Sequence, residues 1–471
     1  MMKIATGDIG ALVRRSLTDF LPVLCTAVLV TACSLDGMLG TDDLPKDVTD
    51  PAITQTPSGA LAAYNGMLAQ FRNVFGSASG NSSFVEVSGL LTDELEWGLA
   101  GAAETDNHPV DFRQVPEGED NSRVVSLYSG LQRVRGLASQ AIGLLTRFSP
   151  GSEALAGHAY TVQAYAEIFL AELFCSGIPL STLDFDGDFT YKPGSTTDEV
   201  YHHALALLDT ALTLTGDSLR FEYLVRIGKA RALLALGRFD EAAEVVESVP
   251  DDFSYKVSYT SDGNNLRHIQ FAQIRNLTPR WQLTVGDRKG VNGLDYVSSG
   301  DPRTQVTATW GTNRRGKTIY HPAKYNPDGS SPIELASGIE ARLIEAEAAL
   351  RAGAGTRWLD ILNHLRRTMW TTIEPAVAGP LPDLTDPGDD AARVDLLMRE
   401  RAFWLFLTGH RQGDLRRLVR HYGRTQDELY PIGPYEHPTT PGMSYGSDID
   451  LPIPQAERIS NPHFTGCIER A

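Results

Sequence analysis

Gly442-Met443-Ser444-Tyr445-Gly446 has the spacing of a nucleophile elbow, which holds a serine on a sharp strand-to-helix turn for acyl transfer. That chemistry needs a buried strand before the serine and a helix after it. Pro438 and Pro441 precede the motif, and Asp448, Asp450 and Pro452 follow it, so a loop is expected instead. Asp184, Asp186 and Asp188 cluster three carboxylates, an oxygen-rich set that suits calcium. An EF-hand loop starting there would need glycine and glutamate where Phe189 and Ser195 stand. The run reads as a solvated acidic turn, with a calcium ion at Asp184, Asp186 and Asp188 as the alternative. His202 and His203 are neighbours, but no His-x-x-x-His or Cys-x-x-Cys spacing of a metal site occurs. No phosphate-cradling or dinucleotide loop is present. No catalytic residue and no resident cofactor are therefore expected.

The stronger signal is aromatic. Sugar rings offer flat C–H faces that stack on aromatic rings, and their hydroxyls pair with Asn, Asp and Arg side chains. Trp97 sits among Asp93, Glu94 and Glu96, with Asp106 and Asn107 further on. Trp281, Tyr296, Trp310, Tyr320 and Tyr325 are interleaved with Asn292, Asn313, Arg314 and Arg315. Trp97, Asn107, Trp281, Tyr296, Trp310 and Tyr320 form the expected ligand-binding set. Trp358 and Trp404 lie on apolar helical faces and are expected in the core.

These side chains need a scaffold, and the periodicity of the chain is mostly helical. Leu155, Val162, Tyr165 and Phe169 recur at helical spacing. Thr196-Thr197-Asp198-Glu199 is a capping box that opens a helix with Val200, Ala204, Leu207, Ala211 and Leu214 on one face. Ala230, Leu233, Leu234 and Gly237 end one helix, and Arg238-Phe239-Asp240-Glu241-Ala242 starts another. That pair resembles a tetratricopeptide unit. Leu343, Ala346, Leu350 and Gly353, then Trp358, Leu362 and Leu365, make a second pair. Pairs are thus expected near 155–246 and 339–367, with no fixed period because a long insertion separates them. Residues 251–335 differ in kind, being rich in Gly, Asn, Asp, Ser and aromatics with short β-like runs. Residues 374–390 and 431–454 are Pro- and Gly-rich loops. Function is expected in these loops, since helix faces are occupied by packing. Glu400, Arg401, Arg411, Asp414 and Arg417 stand among Phe403, Leu405, Phe406, Leu407 and Leu415. Charges in such company must pair, so a structural Arg–carboxylate network locking two helices is expected.

The 471 residues carry 42 Lys+Arg against 59 Asp+Glu, a net charge of −17, which excludes nucleic-acid binding by phosphate neutralisation. Hydrophobic content of 42% is ordinary for a folded chain. Lys3, Arg14 and Arg15 precede an apolar run at residues 20–30, too short to span a bilayer and typical of an export signal. Val30-Thr31-Ala32-Cys33 follows it and resembles a bacterial lipobox, in which Cys33 becomes the acylated first residue; an ordinary secretory signal is the alternative. Removing residues 1–32 takes out three basic and two acidic groups, leaving the mature chain one charge more negative. Residues 33–57 read as a lipid-anchored tether, and residues 58–471 as one helical domain. If Cys33 carries lipid, only Cys175 and Cys467 remain, and they could pair in an oxidising envelope.

Three stretches together resemble one family, the SusD/RagB nutrient-binding outer-membrane lipoproteins. They are IEARLIEAEA at 339–348 with WLDILNHLR at 358–366, RERAFWL at 399–405 with GHRQGDLRR at 409–417, and LPIPQAE at 451–457 ending in Asn461-Pro462. Asp301-Pro302-Arg303 and FCSGIP at 174–179 are further matches. Trp404 and Thr408 depart from the pattern, standing where acidic residues are commoner. The resemblance implies a mainly α, SusD-like fold of irregular tetratricopeptide-like helix pairs with long loop insertions, and C-terminal motifs spanning 399–462. It implies a non-enzymatic surface lipoprotein of the outer membrane that delivers glycans or peptides to a SusC-like TonB-dependent transporter. Oligosaccharide is the expected ligand and peptide the alternative, since an acidic surface suits cationic peptides. An envelope scaffold without a small ligand is a reading of a different class. A glycosidase is a third, because many carboxylate pairs are available.

Overall fold

A computed structural model describes residues 55–77, 82–98, 107–118, 120–183, 189–260, 283–312, 318–326, 329–436 and 442–468, with the side chains of 107 and 309–312 outside the description. The calls on Cys33, the tether up to residue 54, Trp281 and the acidic run at 184–188 fall outside these residues. The helices are α1 (Pro57–Gly76), α2 (Phe84–Leu91), α3 (Asn107–Asp111), α4 (Ser122–Phe148), α5 (Glu153–Leu173), α6 (Thr197–Leu214), α7 (Leu219–Ala235), α8 (Phe239–Val246), α9 (Gly338–Arg351), α10 (Arg357–Thr368), α11 (Asp390–Trp404), α12 (Arg411–Tyr422), α13 (Gln426–Leu429) and α14 (Gln455–Ser460). Strands are short: β1 (Leu95–Trp97), β2 (Ile178–Pro179), β3 (Thr182–Leu183), β4 (Phe189–Thr190), β5 (Gly194–Ser195), β6 (Ser254–Val257), β7 (Leu283–Val285), β8 (Val306–Thr312), β9 (Thr318–Pro322) and β10 (Ile333–Ser337). Among the described residues they form two-stranded antiparallel sheets, and the fold is mainly α.

Local chemistry sets the helix ends. Thr196 and Glu199 make the reciprocal capping box, with Glu199 N donating to Thr196 Oγ1 at 3.2 Å and Thr196 N to Glu199 Oε2 at 2.7 Å. On α6 the deepest leucines are Leu205 and Leu208 rather than Leu207 and Leu214, because the apolar stripe is wider than one row. Gly237, at φ 73°, ends α7 in the left-handed region, where a side chain would also meet the His421 ring at 3.0 Å. Helix α5 is apolar nearly all round and, apart from the half-buried Tyr160, is buried from Ala156 onward. Such a helix belongs at the centre of the bundle, and α4 and α6 flank it.

From α4 to α10 each helix packs on the next in sequence, including α8 on α9 across the insertion. The two helix pairs are therefore stacked neighbours, and the missing period is explained by chain looped out between them. The neck of that loop is closed by β6 and β10, which pair with Ile333 opposite Val257 and Glu334 opposite Lys256. Gly338 starts α9 directly beneath the neck. A Cβ there would lie 2.0 Å from the Pro250 carbonyl oxygen, so only glycine fits.

A large core surrounds α5, and a second forms where α9, α10, α11 and α12 meet around Leu343, Leu362, Leu397 and Leu415. Cys175 and Cys467 are disulfide-bonded, with Cα atoms 5.7 Å apart. The bond ties the end of α5 to the C-terminal segment. Beside it Cys175 N donates to the Leu451 carbonyl and Leu451 N to the Leu173 carbonyl, which seats the LPIP stretch against the FCSGIP turn.

Candidate ligand-binding site

The insertion builds one wall of a cleft. Ribbon β6–β10, the segment after β9, the turn at Met369–Thr372 and the end of α11 line an open cleft of about 180 Å³. Lys256, Lys324, Glu334, Glu374 and Trp404 are among its lining residues. Its floor is fixed by ion pairs. Arg303 Nη1 and Nη2 donate to Glu400 Oε2 and Oε1 at 2.7 and 3.0 Å, and Arg303 also clasps Asp301 through Nε and Nη2 at 2.9 and 2.7 Å. Arg366 Nη1 adds a third donor to Glu400 at 2.7 Å. The Arg303 guanidinium lies 5.0 Å from the Trp404 ring centroid and 5.4 Å from that of Phe403.

Behind this floor the other expected network residues are buried and paired. Arg401 grips Asp414 through two 2.9 Å bonds. Arg417 holds Glu347 at 2.7 and 2.8 Å and reaches Asp414 at 2.8 Å. Arg411 holds Asp93 at 2.8 and 3.0 Å. The network thus spans more helices than the two expected, and Asp93, Glu347, Arg303 and Arg366 belong to it. Burial alone would raise the Asp93 carboxyl, but the Arg411 guanidinium outweighs it and holds the group below its usual range.

Glu94, next to Asp93, is set differently. Its Oε1 accepts from Leu407 N at 2.7 Å, while Oε2 has no hydrogen-bond partner among the described residues. Leu407 turns through φ 53°, a strained conformation for leucine, just beyond α11. Tyr325 Oη donates to its carbonyl at 3.0 Å, and Lys324 Nζ donates to the Phe406 carbonyl. Burial pushes Glu94 up to about 7. A carboxyl raised on folding binds its proton more tightly in the folded chain, so stability falls as pH rises from about 4.5 to about 7. The loss is about 3 kcal/mol at 1.4 kcal/mol per pH unit. Urea midpoints of Glu94→Gln at pH 5 and pH 8 are expected to lack this loss; an unchanged pH profile would refute the assignment.

Two aromatic candidates need correction. Trp97 is fully buried, its N donating to Asp111 Oδ2 at 3.2 Å and its strand paired with β7. Asp111 in turn pairs with Lys289 at 2.9 Å, both side chains at zero exposure. The polar neighbours of Trp97 thus pair inside the protein and do not present it to solvent. Tyr296 is also fully buried, stacked on Phe403 and Phe406 at 5.4 and 5.0 Å. It belongs to the core, because its hydroxyl finds Asp93 at 3.5 Å. Tyr320 is half-buried. Asn107 begins α3 and Trp310 lies on β8, but their side chains, like all of Trp281, are outside the description.

Backbone register relates the described parts of these segments. Trp97 pairs with Leu283, two residues after Trp281 in sequence, and Tyr320 pairs with Ala308, two residues before Trp310. Tyr320 N donates to Thr284 Oγ1 at 2.9 Å, which joins the two ribbons. Trp358 is core, as expected, whereas Trp404 is half-buried on the cleft wall. Ser444 sits on an exposed bridge to Pro434 with no helix after it, which is a loop and not an elbow. Among the described residues no cluster of His, Cys, Asp or Glu is arranged to hold a metal, and no helix is long and apolar enough to cross a membrane. Sequence reasoning missed Lys324. Its signal was a lone cation in the apolar stretch Pro322-Ala323-Lys324-Tyr325.

The sequence matches no family model and no curated protein. Solved structures do match. A SusD superfamily protein from Bacteroides thetaiotaomicron VPI-5482 is 15% identical with a TM-score of 0.65, covering 88% of this chain and 99% of that one. A SusD-like carbohydrate binding protein from Bacteroides vulgatus ATCC 8482 is 14% identical with a TM-score of 0.62, over 87% and 97%. A laminarin binding SusD-like protein is 14% identical with a TM-score of 0.62, over 88% and 99%. At these identities the likeness establishes the fold.

Proposed function

We propose that this chain, built on the SusD-like fold, is a cell-surface lipoprotein that binds oligosaccharide and passes it to a SusC-like TonB-dependent outer-membrane transporter. The observation that carries the reading is the match of nearly whole chains to structures named as carbohydrate- and laminarin-binding. Three features support it. The N-terminus has an export signal ending in a lipobox at Cys33. The disulfide between Cys175 and Cys467 suits an oxidising envelope. The inserted segment supplies one wall of a cleft and, on β9, the half-buried Tyr320, an aromatic ring on which sugar can stack. The reading is of a binding protein and not of an enzyme. Peptide is the second ligand class, favoured by the net charge of −17.

Calorimetric titration of the mature protein with a panel of oligosaccharides tests the reading. At least one glycan is expected to bind, and Tyr320→Ala is expected to weaken it about fivefold, in line with roughly 1 kcal/mol for a lost aromatic contact. No heat with any glycan, together with binding of a peptide, would move the protein to the second class. A barrel transporter is expected to co-purify; a soluble periplasmic partner in its place would favour a scaffold. The mass of the N-terminal peptide reads acylation of Cys33, and an unmodified thiol refutes the anchor.

A further inference from the structure

We propose that the cleft against the β6–β10 ribbon is a carboxylate subsite, in which the Lys324 ammonium takes a carboxylate of the bound ligand. The inference rests on the ligand-capturing role above and names a chemical class for the ligand. It starts from charge bookkeeping in the buried network. Arg231, Arg303, Arg411 and Arg417 each hold a carboxylate, and Lys289 holds Asp111. Lys324 is different. Its ammonium has three protons to donate. One goes to the Phe406 carbonyl, and no carboxylate is ion-paired with it among the described residues. The rings of Tyr325 and Phe406 lie 5.0 and 5.4 Å from Nζ, which stabilises a cation without neutralising it.

Lys324 lines the cleft, and so does Trp404, whose indole N–H has no acceptor among the described residues. Arg303, the other cation on this floor, is already engaged by Asp301 and Glu400. The remaining charges on the cleft walls are Asp251, Asp252, Lys256, Glu334 and Glu374, and Asp251 pairs with His364 at 2.7 Å. Glu334 is engaged by Ser254, whose Oγ donates to it at 2.8 Å, and sits opposite Lys256 in the strand register. An ammonium that lines a cleft with protons to spare and no ion-paired carboxylate among the described residues calls for a ligand group that accepts hydrogen bonds and bears negative charge. Burial pushes Lys324 down to about 8, with Glu334, Glu94 and Glu374 opposing the fall and Lys256 adding to it. A bound carboxylate raises it again, so binding above about pH 8 takes up a proton.

A carboxylate reaches such a cleft from a uronic-acid sugar or from a peptide C-terminus. The test is calorimetry on the full mature chain with oligogalacturonate, its methyl ester, a neutral oligosaccharide of equal length, and a tetrapeptide with free or amidated C-terminus. The free carboxylate form of one class is expected to bind at least about tenfold tighter than its ester or amide. Lys324→Met is expected to abolish that preference and Lys324→Arg to keep it. The comparison of acid with ester in the unaltered protein stands even if a variant fails to fold. Equal binding of free and capped forms, or no binding of any carboxylate probe, overturns the subsite. Equal binding of neutral and acidic glycans leaves the glycan role standing without it. Carboxylate-dependent binding of the peptide alone keeps the subsite and removes the glycan role.

Discussion

Arg411→Met is expected to destabilise the protein by about 3–5 kcal/mol, the cost of leaving a buried carboxylate without its partner. Asp93 is fully buried, and Arg411 supplies both of its charge-assisted bonds, at 2.8 and 3.0 Å. Among the described residues the Leu294 N–H at 2.9 Å and a long contact from Tyr296 would remain. In the unaltered chain the Asp93 carboxyl is held low, so the pair contributes its full stability above the ordinary carboxylate range and loses it as pH falls through the lowered value. In the variant the sign reverses. Burial acts unopposed, the carboxyl rises, and the variant is expected to recover part of its deficit as pH drops from 7 to 5. Urea midpoints at both values check this. The double variant Asp93→Asn, Arg411→Met removes the orphaned charge and is expected to be more stable than Arg411→Met alone. Additive losses in the double variant would refute the pairing argument.

Glu400→Gln is the second large effect, about 3 kcal/mol, because one carboxylate neutralises two buried guanidiniums. Arg303 and Arg366 both donate to it at 2.7 Å. Asp301 still engages Arg303 in the variant, but Arg366 keeps only the Pro382 carbonyl, and the two cations then repel each other. Arg303 also stacks near Trp404 on the cleft floor, so ligand affinity is expected to fall together with stability. A control is Glu241→Gln, which breaks an exposed i,i+3 pair with Arg238 and is expected to leave the urea midpoint unmoved. Equal effects of the two substitutions would show that the buried pair has no special weight.

The contrast between these two ion pairs is also the contrast between what was legible in the chain and what was not. Arg238–Glu241 and the Thr196–Glu199 capping box join residues three apart, and the helix itself brings them together. The apolar rows of α5 and α6, the glycine ending α7 and the break into a polar insertion follow from the same short-range rules. So does the demand that charges among Phe403, Leu405 and Leu415 find partners. Which partners they find is a different matter. Asp93 and Arg411 are 318 residues apart, and no spacing rule spans that distance. The acids around Trp97 read as the rim of a solvent-facing site because sequence shows polarity without showing where each group is satisfied. Asp93 turns to Arg411 and Glu94 to the backbone of Leu407, so Trp97 is sealed inside. Lys324 went unremarked for the converse reason, since a cation looks ordinary until the fold leaves it lining a cleft with no ion-paired carboxylate among the described residues.

Helix content, helix ends, the looped-out segment and the need for buried ion pairs were determined by sequence alone, through contacts within one turn and the cost of burying charge. Tertiary structure alone decided which aromatics are covered, which acid meets which arginine, and which lysine lines a cleft, because each depends on segments brought together only when the helices stack.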